Sequence, residues 1–522
     1  MAAAHRERTM NAMQVLRNRR IARLMALYLA LVLGGCQLLP PAGVPRPDYW
    51  PTDGWRNSTP EAEGISSDGL ADMLQTIREK NIPVHSLLVI RNGYLVVDAT
   101  FYPYDGQTVH NVASVTKSLM TTLIGIAADQ GKLDLDDKVV SFFPDRSIPN
   151  LDGRKEEVTV RHLASMSSGL DCDGEGDEPT LQEMVASPDY AQFVLDRRVA
   201  WEPGEHFVYC SPAIHLLSPV LQQATAMTTL DFARQYLFEP LGFGEVLWPR
   251  DPQGYYDGWA DISLHPYDMA KLGFLFLNHG EWEGQRIVSR QWVEEATKAQ
   301  IETSEDPYGY GWWIDPAVEG AYHAQGRGGQ NIYVLPAWDM IIDTTGGGFE
   351  MDEIAEMFLA SFTDLKTLPA NPEAVARLEA AVDAVAQPPE RKPVAPLPDV
   401  ARLISGKTYI LEPNPAALET VAFEFDGWSE ATFSFRGNGL PLVSPLVGLD
   451  GLYRFSVAPD GRPVAFRGAW IDAQTFFLEY DGITRNDHSL FRFRFEGDQV
   501  EVAVQETAHE AVAQFVGQLQ QP

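Results

Sequence analysis

Ser114-Val115-Thr116-Lys117 sets a serine hydroxyl one helical turn ahead of a lysine amine. Residues three apart share a helix face, so the two side chains can meet. The run that follows, Ser118 to Ala128, is apolar almost all round, as a helix buried in a core would be. Burial disfavours a charged ammonium, so an amine in that first turn is suited to take a proton. The start of a helix also offers free N–H groups and a positive dipole end to an anion forming at Ser114. The chemistry is acyl transfer, with serine as nucleophile and lysine as base. The tetrad is short enough to arise by chance in a chain of 522 residues, so its weight depends on its company.

Such a hydrolase needs a second proton carrier beside the serine and a second N–H to complete an oxyanion hole. Downstream, Glu202-Pro203-Gly204-Glu205-His206-Phe207-Val208-Tyr209-Cys210-Ser211 ends a loop and opens the helical run Ile214–Leu217. Further on, His323-Ala324-Gln325-Gly326-Arg327-Gly328-Gly329-Gln330 feeds a late β segment. Metal-ligand spacing is absent: there is no H-E-x-x-H and no paired C-x-x-C. No cofactor is implied.

Elements that could hold these residues are legible on either side. Ile65–Lys80 has apolar residues at helical spacing, with Ser66-Ser67-Asp68 as cap chemistry. His85–Ile90 and Tyr94–Ala99 are β-rich and flank Arg91-Asn92-Gly93, a hairpin signal. A second β pair is expected at Gln330–Leu335 and Met340–Thr345, followed by a helix over Phe349–Leu365. Between the two β pairs, roughly 131–300 reads as helices and loops. These features predict an α+β domain: one antiparallel sheet from both ends of the segment, helices packed on it, and a helical insertion.

Ala374–Ala386 reads as a further helix, and Pro388 to Pro398 as a proline-rich linker. Beyond it the period changes to two, with Phe423, Phe425, Phe433, Phe435, Phe491, Phe493 and Phe495 alternating between turns such as Asp426-Gly427. A separate all-β barrel or sandwich is expected over 400–510, its aromatic face forming the core.

The formal net charge is −32, with 72 acidic against 40 basic residues. No Lys/Arg stripe exists to neutralise phosphates, which argues against nucleic acid as partner. The N-terminus differs: Arg17, Arg19, Arg20 and Arg23 precede the apolar stretch Leu24–Leu33 and then Gly34-Gly35-Cys36. This is an export signal, too short to span a membrane. Leu33-Gly34-Gly35-Cys36 resembles a bacterial lipobox, which implies lipidation at Cys36, an address on the periplasmic side of the cell envelope, and, with Gln37 next, the outer membrane. Residues 37–54, rich in proline, read as a tether. Cys172 and Cys210 remain, an even pair compatible with one disulfide or with two buried thiols.

Ser114-x-x-Lys117, Arg161-His162-Leu163 with Ser168-Gly169-Leu170, Pro203-Gly204-x-x-Phe207-x-Tyr209 and the glycine-rich late strand together resemble the serine β-lactamase-related superfamily. Within it they are most similar to the class C-like branch of esterases and 6-aminohexanoate-dimer hydrolases. Pro266 to Gly273 and Tyr308 to Trp313 fit the same branch. The resemblance covers about 55–365 and implies a β-lactamase/transpeptidase-like fold over a hydrolase domain at 55–368. It makes Ser114 the acylated nucleophile, Lys117 the base and Tyr209 the proton shuttle. The N–H groups of Ser114 and Arg327 become the oxyanion hole, with Ser211, Gly326 and Gly328 supporting the motifs.

Two departures bear on substrate. Ser211 stands where the family usually has asparagine, and Ala324-Gln325-Gly326 stands where β-lactamases carry K-T-G. Loss of that lysine argues against efficient β-lactamase or D,D-peptidase action and suits an uncharged ester or amide. His323 is expected to pack rather than react, and His162 to be structural. A cell-wall peptidase or weak β-lactamase, and a non-catalytic envelope lipoprotein using the fold as a scaffold, are the alternatives. Loops 171–200 and 251–262 carry no recognisable substrate code, and Tyr255, Trp259, Trp312 and Trp313 could line an apolar cleft or simply pack.

Overall fold

The computed structural model describes residues 49–172, 179–362, 366–425, 428–437, 439, 441–486, 488–507 and 511–521. The expected export signal, Cys36, most of the expected tether and the turn expected at Asp426-Gly427 lie outside the described residues. Among the described residues no helix is long and apolar enough to cross a membrane.

Helix α1 (Ser67–Lys80) starts where the Ser66 side chain accepts the Gly69 N–H and stops at Asn81, which adopts φ 51°. Strands β1 (Val84–Arg91) and β2 (Tyr94–Thr100) follow, joined by Asn92 and Gly93 with φ of 51° and 82°. Positive φ at both central positions gives the turn the twist that a two-residue hairpin needs. Helix α2 (Val115–Asp129) is buried from Val115 to Ala127. Short helices then build the insertion, among them α3 (Val160–Ala164) and α4 (Ser211–His215), before α5 (Pro266–Leu277) returns to the sheet. Strands β3 (Trp313–Ile314), β4 (Tyr322–Gly326), β5 (Gln330–Leu335) and β6 (Met340–Gly346) complete it.

The sheet runs β2-β1-β6-β5-β4-β3, antiparallel throughout. The N-terminal hairpin therefore pairs with the C-terminal strands at its centre, β1 against β6. Alternation on β6 feeds two cores: Met340 and Ile342 join α1 on one face, while Ile341 joins α2 and α5 on the other.

Four boundaries differ from those expected, three of them in the hydrolase domain. The helix predicted over 349–365 is α6 (Asp352–Ser361). Gly348, at φ 122°, delays its start, and Phe362 leaves it in extended conformation to bridge Ile65. The helix expected over 374–386 is α7 (Pro372–Ala386), and it packs on the hydrolase domain: Leu378 and Val385 share a core with Leu70 and Leu74 of α1, and Arg377 pairs with Asp68 and Asp72. The hydrolase domain thus extends past 368 to α7. At its other end, Trp50 packs its ring on Phe274 and Trp282, so the last residues of the expected tether are docked.

Beyond the proline-rich segment, β7 (Thr408–Leu411), β8 (Leu418–Glu424), β9 (Glu430–Gly437), β10 (Leu446–Gly448), β11 (Arg454–Val457), β12 (Pro463–Trp470), β13 (Thr475–Asp481), β14 (His488–Glu496), β15 (Gln499–Glu506) and β16 (Ala511–Leu519) form a closed barrel. Its order is β10-β9-β8-β7-β16-β15-β14-β13-β12-β11, closed by a parallel pairing of Gly448 with Arg467. The expected end at 510 falls short, because β16 pairs with both β7 and β15 and fills the gap between them. Phe423, Phe433, Phe476 and Phe493 meet inside with centroids 4.9 to 5.8 Å apart, as the alternation predicts.

The barrel is docked on the hydrolase domain. The Tyr453 N–H donates to Tyr102 Oη at 3.2 Å, and the Thr507 hydroxyl donates to the Gly347 carbonyl at 2.6 Å. Barrel and sheet therefore meet beside the end of β6.

Candidate active site

The approach to Ser114 is a tight turn held from several directions. Ala113 has φ 46°, a conformation costing a non-glycine residue on the order of 1–3 kcal/mol. Its N–H donates to Asn111 Oδ1 at 2.7 Å, and Asn111 Nδ2 donates to Asp261 Oδ1 at 3.1 Å. Thr116 Oγ1 donates back to the Ala113 carbonyl at 2.6 Å. His110–Asn111 pairs with Ser263–Leu264 as a short two-stranded sheet. Ser114 then enters α2 with helical φ and ψ of −71° and −7°.

Lys117 is one turn on and 1% exposed. Its Nζ lies 2.8 Å from Ser114 Oγ and donates to the Trp259 carbonyl at 2.7 Å. The helix carrying both is seated on the Tyr310–Gly311 backbone: Ser118 Oγ donates to Gly311 O at 2.5 Å, and Thr121 Oγ1 to Tyr310 O at 2.9 Å. A Cβ on Gly311 would stand 2.9 Å from the Lys117 carbonyl, so the glycine permits this approach.

Tyr209 comes from the segment before α4. Val208 N–H donates to Met166 O at 2.9 Å and Gly204 N–H to Ser167 O at 2.8 Å, which fixes the loop's course. Cys210 is bonded to Cys172, with Cα atoms 5.9 Å apart, tying Tyr209's neighbour to the chain just after Leu170. The Tyr209 ring lies parallel to Trp313 at 6.1 Å, and Lys117 Nζ sits 4.8 Å from its centroid. Ser211 is buried as the first residue of α4. The sequence-read trio is brought together around one nitrogen.

Gly326 ends β4 against the turn before Ser114. A Cβ there would fall 2.5 Å from Val112 O and 3.1 Å from Ala113 Cβ. Gly328 and Gly329 follow with φ of 89° and 94°, and a Cβ on Gly329 would strike the Phe349 ring. Arg327 stands between, its backbone beside the Ser114 segment and its side chain exposed. Gln330 locks the turn, its side-chain amide exchanging hydrogen bonds with both backbone groups of Gly346.

His323 sits on the opposite sheet face from Ala324 and Gly326. Its ring stacks on Tyr333 at 5.1 Å and 3°, and burial pushes the imidazole down to about 4. His162 closes a capping box with Thr159 at the start of α3. Neither reaches Ser114.

Sequence reasoning missed the Trp259 carbonyl, a backbone acceptor that any residue type could supply. Its loop is pinned by His215, whose Nδ1 accepts from Gly258 N–H at 3.4 Å and whose Nε2 meets Asp251 Oδ2 at 3.2 Å. Burial raises the neighbouring Asp257 carboxyl to about 6, with His215 opposing.

Fold and site together define the β-lactamase/transpeptidase class. The Beta-lactamase family model matches residues 70–342, just over half of the chain, and the chain belongs to that family. It is 25% identical over 336 residues to the 6-aminohexanoate-dimer hydrolase of Paenarthrobacter ureafaciens, covering 59% of this chain and 82% of that protein. It is 23% identical over 173 residues to Protein flp of Staphylococcus aureus (strain MW2), covering 32% of this chain and only 34% of that protein. Among solved structures, a putative 6-aminohexanoate-dimer hydrolase from Bacillus anthracis aligns with TM-score 0.48 and 18% identity, covering 63% of this chain and 87% of the other. Family membership and the hydrolase relative support a serine hydrolase.

Proposed function

We propose that the protein cleaves an ester or amide through an acyl-enzyme on Ser114, with Lys117 as general base and Tyr209 as proton shuttle. The 2.8 Å separation of Lys117 Nζ and Ser114 Oγ carries this reading. The serine oxygen attacks the substrate carbonyl while its proton passes to the lysine nitrogen. The N–H groups of Ser114 and Arg327 stabilise the tetrahedral oxyanion. Its collapse expels the alcohol or amine, which takes up a proton by way of the Tyr209 hydroxyl. Water then attacks the acyl carbonyl, Lys117 again removes the proton, and the free acid leaves.

The substrate's acyl side is uncharged in this reading. Ala324, buried at the position where β-lactamases carry the K-T-G lysine, offers no cation to a carboxylate. Tyr209, Trp313 and Phe207 give the site an aromatic wall suited to an apolar group. Kinetics with p-nitrophenyl esters of graded chain length, beside nitrocefin and a D-Ala-D-Ala peptide, test this. Ester turnover well above the other two is expected. Faster turnover of nitrocefin or the peptide would move the protein to the β-lactamase or peptidase side of the family.

The export signal and lipobox support a lipid-anchored enzyme on the periplasmic side of a bacterial envelope, at the outer membrane. Incorporation of a palmitate analogue should disappear in Cys36→Ser.

A further inference from the structure

One barrel loop touches both segments that bear the oxyanion amides. After β13, the chain from Gly482 to Asn486 crosses to the hydrolase domain. Ile483 anchors it in an apolar cluster with Tyr104 and Tyr453. The Thr484 carbonyl accepts from Asn111 N–H at 2.8 Å, three residues before Ser114. Two residues on, Asn486 engages Arg327 twice: its Nδ2 donates to the Arg327 carbonyl at 3.2 Å, and its Oδ1 accepts from Arg327 Nη2 at 3.3 Å.

Asn486 is 2% exposed although its partner's side chain is exposed, so this amide is buried to grip a turn rather than to fill a core. A Cβ on Gly328 would stand 2.8 Å from Asn486 Cβ, so the glycine lets the loop approach. Domain docking does not depend on this contact, since the Tyr102–Tyr453 and Gly347–Thr507 hydrogen bonds supply docking elsewhere.

We propose that the Gly482–Asn486 loop of the barrel is a working part of the active site, clamping the Asn111–Ser114 and Gly326–Gly328 segments together, with Asn486 as positioning residue for Arg327. This rests on the serine-hydrolase reading and deepens it. Arg327 contributes an N–H whose direction matters only when charge develops on the substrate oxygen. A donor displaced by a fraction of an ångström loses transition-state stabilisation while ground-state binding changes little. The barrel, filled with phenylalanine, thereby acts through one loop rather than through a ligand of its own.

The test uses the full chain with p-nitrophenyl butyrate and a fluorophosphonate probe. Asn486→Ala should lower kcat about 10–100-fold, less than deleting an oxyanion donor outright, with KM within about threefold of wild type. Asn486→Asp keeps the size and the contact to the Arg327 guanidinium but sets an acceptor against the Arg327 carbonyl. It should lose kcat similarly, and it serves if the alanine variant does not fold. Tyr102→Phe, which weakens docking away from Ser114, should keep kcat within about twofold. Asn486 variants within about twofold of wild type, or losing no more than Tyr102→Phe, overturn the clamp while leaving the hydrolase reading intact. A wild-type chain that neither hydrolyses the ester nor takes the probe overturns the hydrolase reading and the clamp with it.

Discussion

Trp259 presents its backbone oxygen to Lys117 Nζ at 2.7 Å, on a loop that the sequence marks only by an aromatic residue. A neutral amine has two N–H groups and one lone pair. With one N–H held by Trp259, the lone pair can face Ser114 Oγ, 2.8 Å away. In the proposed mechanism the carbonyl orients the base as a carboxylate orients the histidine of a Ser-His-Asp triad.

Replacing Lys117 should therefore remove the base, not the fold's outline. Lys117→Ala is expected to lower kcat/KM for a p-nitrophenyl ester by about 10²–10⁴. Lys117→Arg should fare no better, because guanidinium stays charged and cannot take the serine proton. Activity of Lys117→Arg near the wild-type value would exclude general-base action at this position.

Tyr209→Phe retains the ring against Trp313 and deletes only the hydroxyl. Proton delivery to the leaving group should suffer most, with kcat falling about 10²-fold or more for poor leaving groups. Activated esters, which need no protonation, should be less affected. Comparing p-nitrophenyl and ethyl esters of one acid reads this difference, and equal losses on both would assign Tyr209 another role.

Gly326→Ala should damage the site through sterics alone. The new Cβ would lie 2.5 Å from Val112 O, so β4 or the Ser114 turn must move. A stability loss of about 1–3 kcal/mol and a drop in kcat larger than any rise in KM are expected. Urea unfolding and steady-state kinetics check the two halves separately.

Acid should loosen the joint between the domains. His85 Nδ1 and His110 Nε2 are 2.8 Å apart and buried beside the barrel. Burial chiefly lowers both imidazoles, His110 to about 4 despite the bond to its neighbour's carbonyl, and His85 well below its usual value. A depressed histidine stabilises the fold fully above its unfolded value near 6.5, and that stability is lost as pH falls towards 4. Asp481, raised by burial to about 6, works in the opposite sense across part of the same window. The difference between wild type and His110→Gln isolates the histidine. The wild-type melting temperature should fall more steeply between pH 6.5 and 4 than the variant's.

The parts legible in the sequence were those with a local physical signature. Apolar period and a serine cap mark α1, Asn92-Gly93 marks the first hairpin, and alternating phenylalanines mark the barrel core. Ser114 and Lys117 could be paired because three residues make one helical turn. The misses had non-local causes. Helix α7 is legible as a helix, but nothing local shows that it packs on α1 and so belongs with the hydrolase domain. Strand β16 pairs with its sequence neighbour β15, but its other edge is covered by β7, about a hundred residues away. The Trp259 carbonyl and Asn486 act by where the chain brings them, and residue type alone does not announce that.

The covalent step at Ser114 is the point on which the rest depends. Incubating the folded chain with a fluorophosphonate, then measuring intact mass and mapping the modified peptide, tests it directly. One adduct per chain on Ser114, absent from Ser114→Ala and strongly slowed in Lys117→Ala, is the expected result. An adduct on another residue, or labelling that persists unchanged in Ser114→Ala, would contradict it.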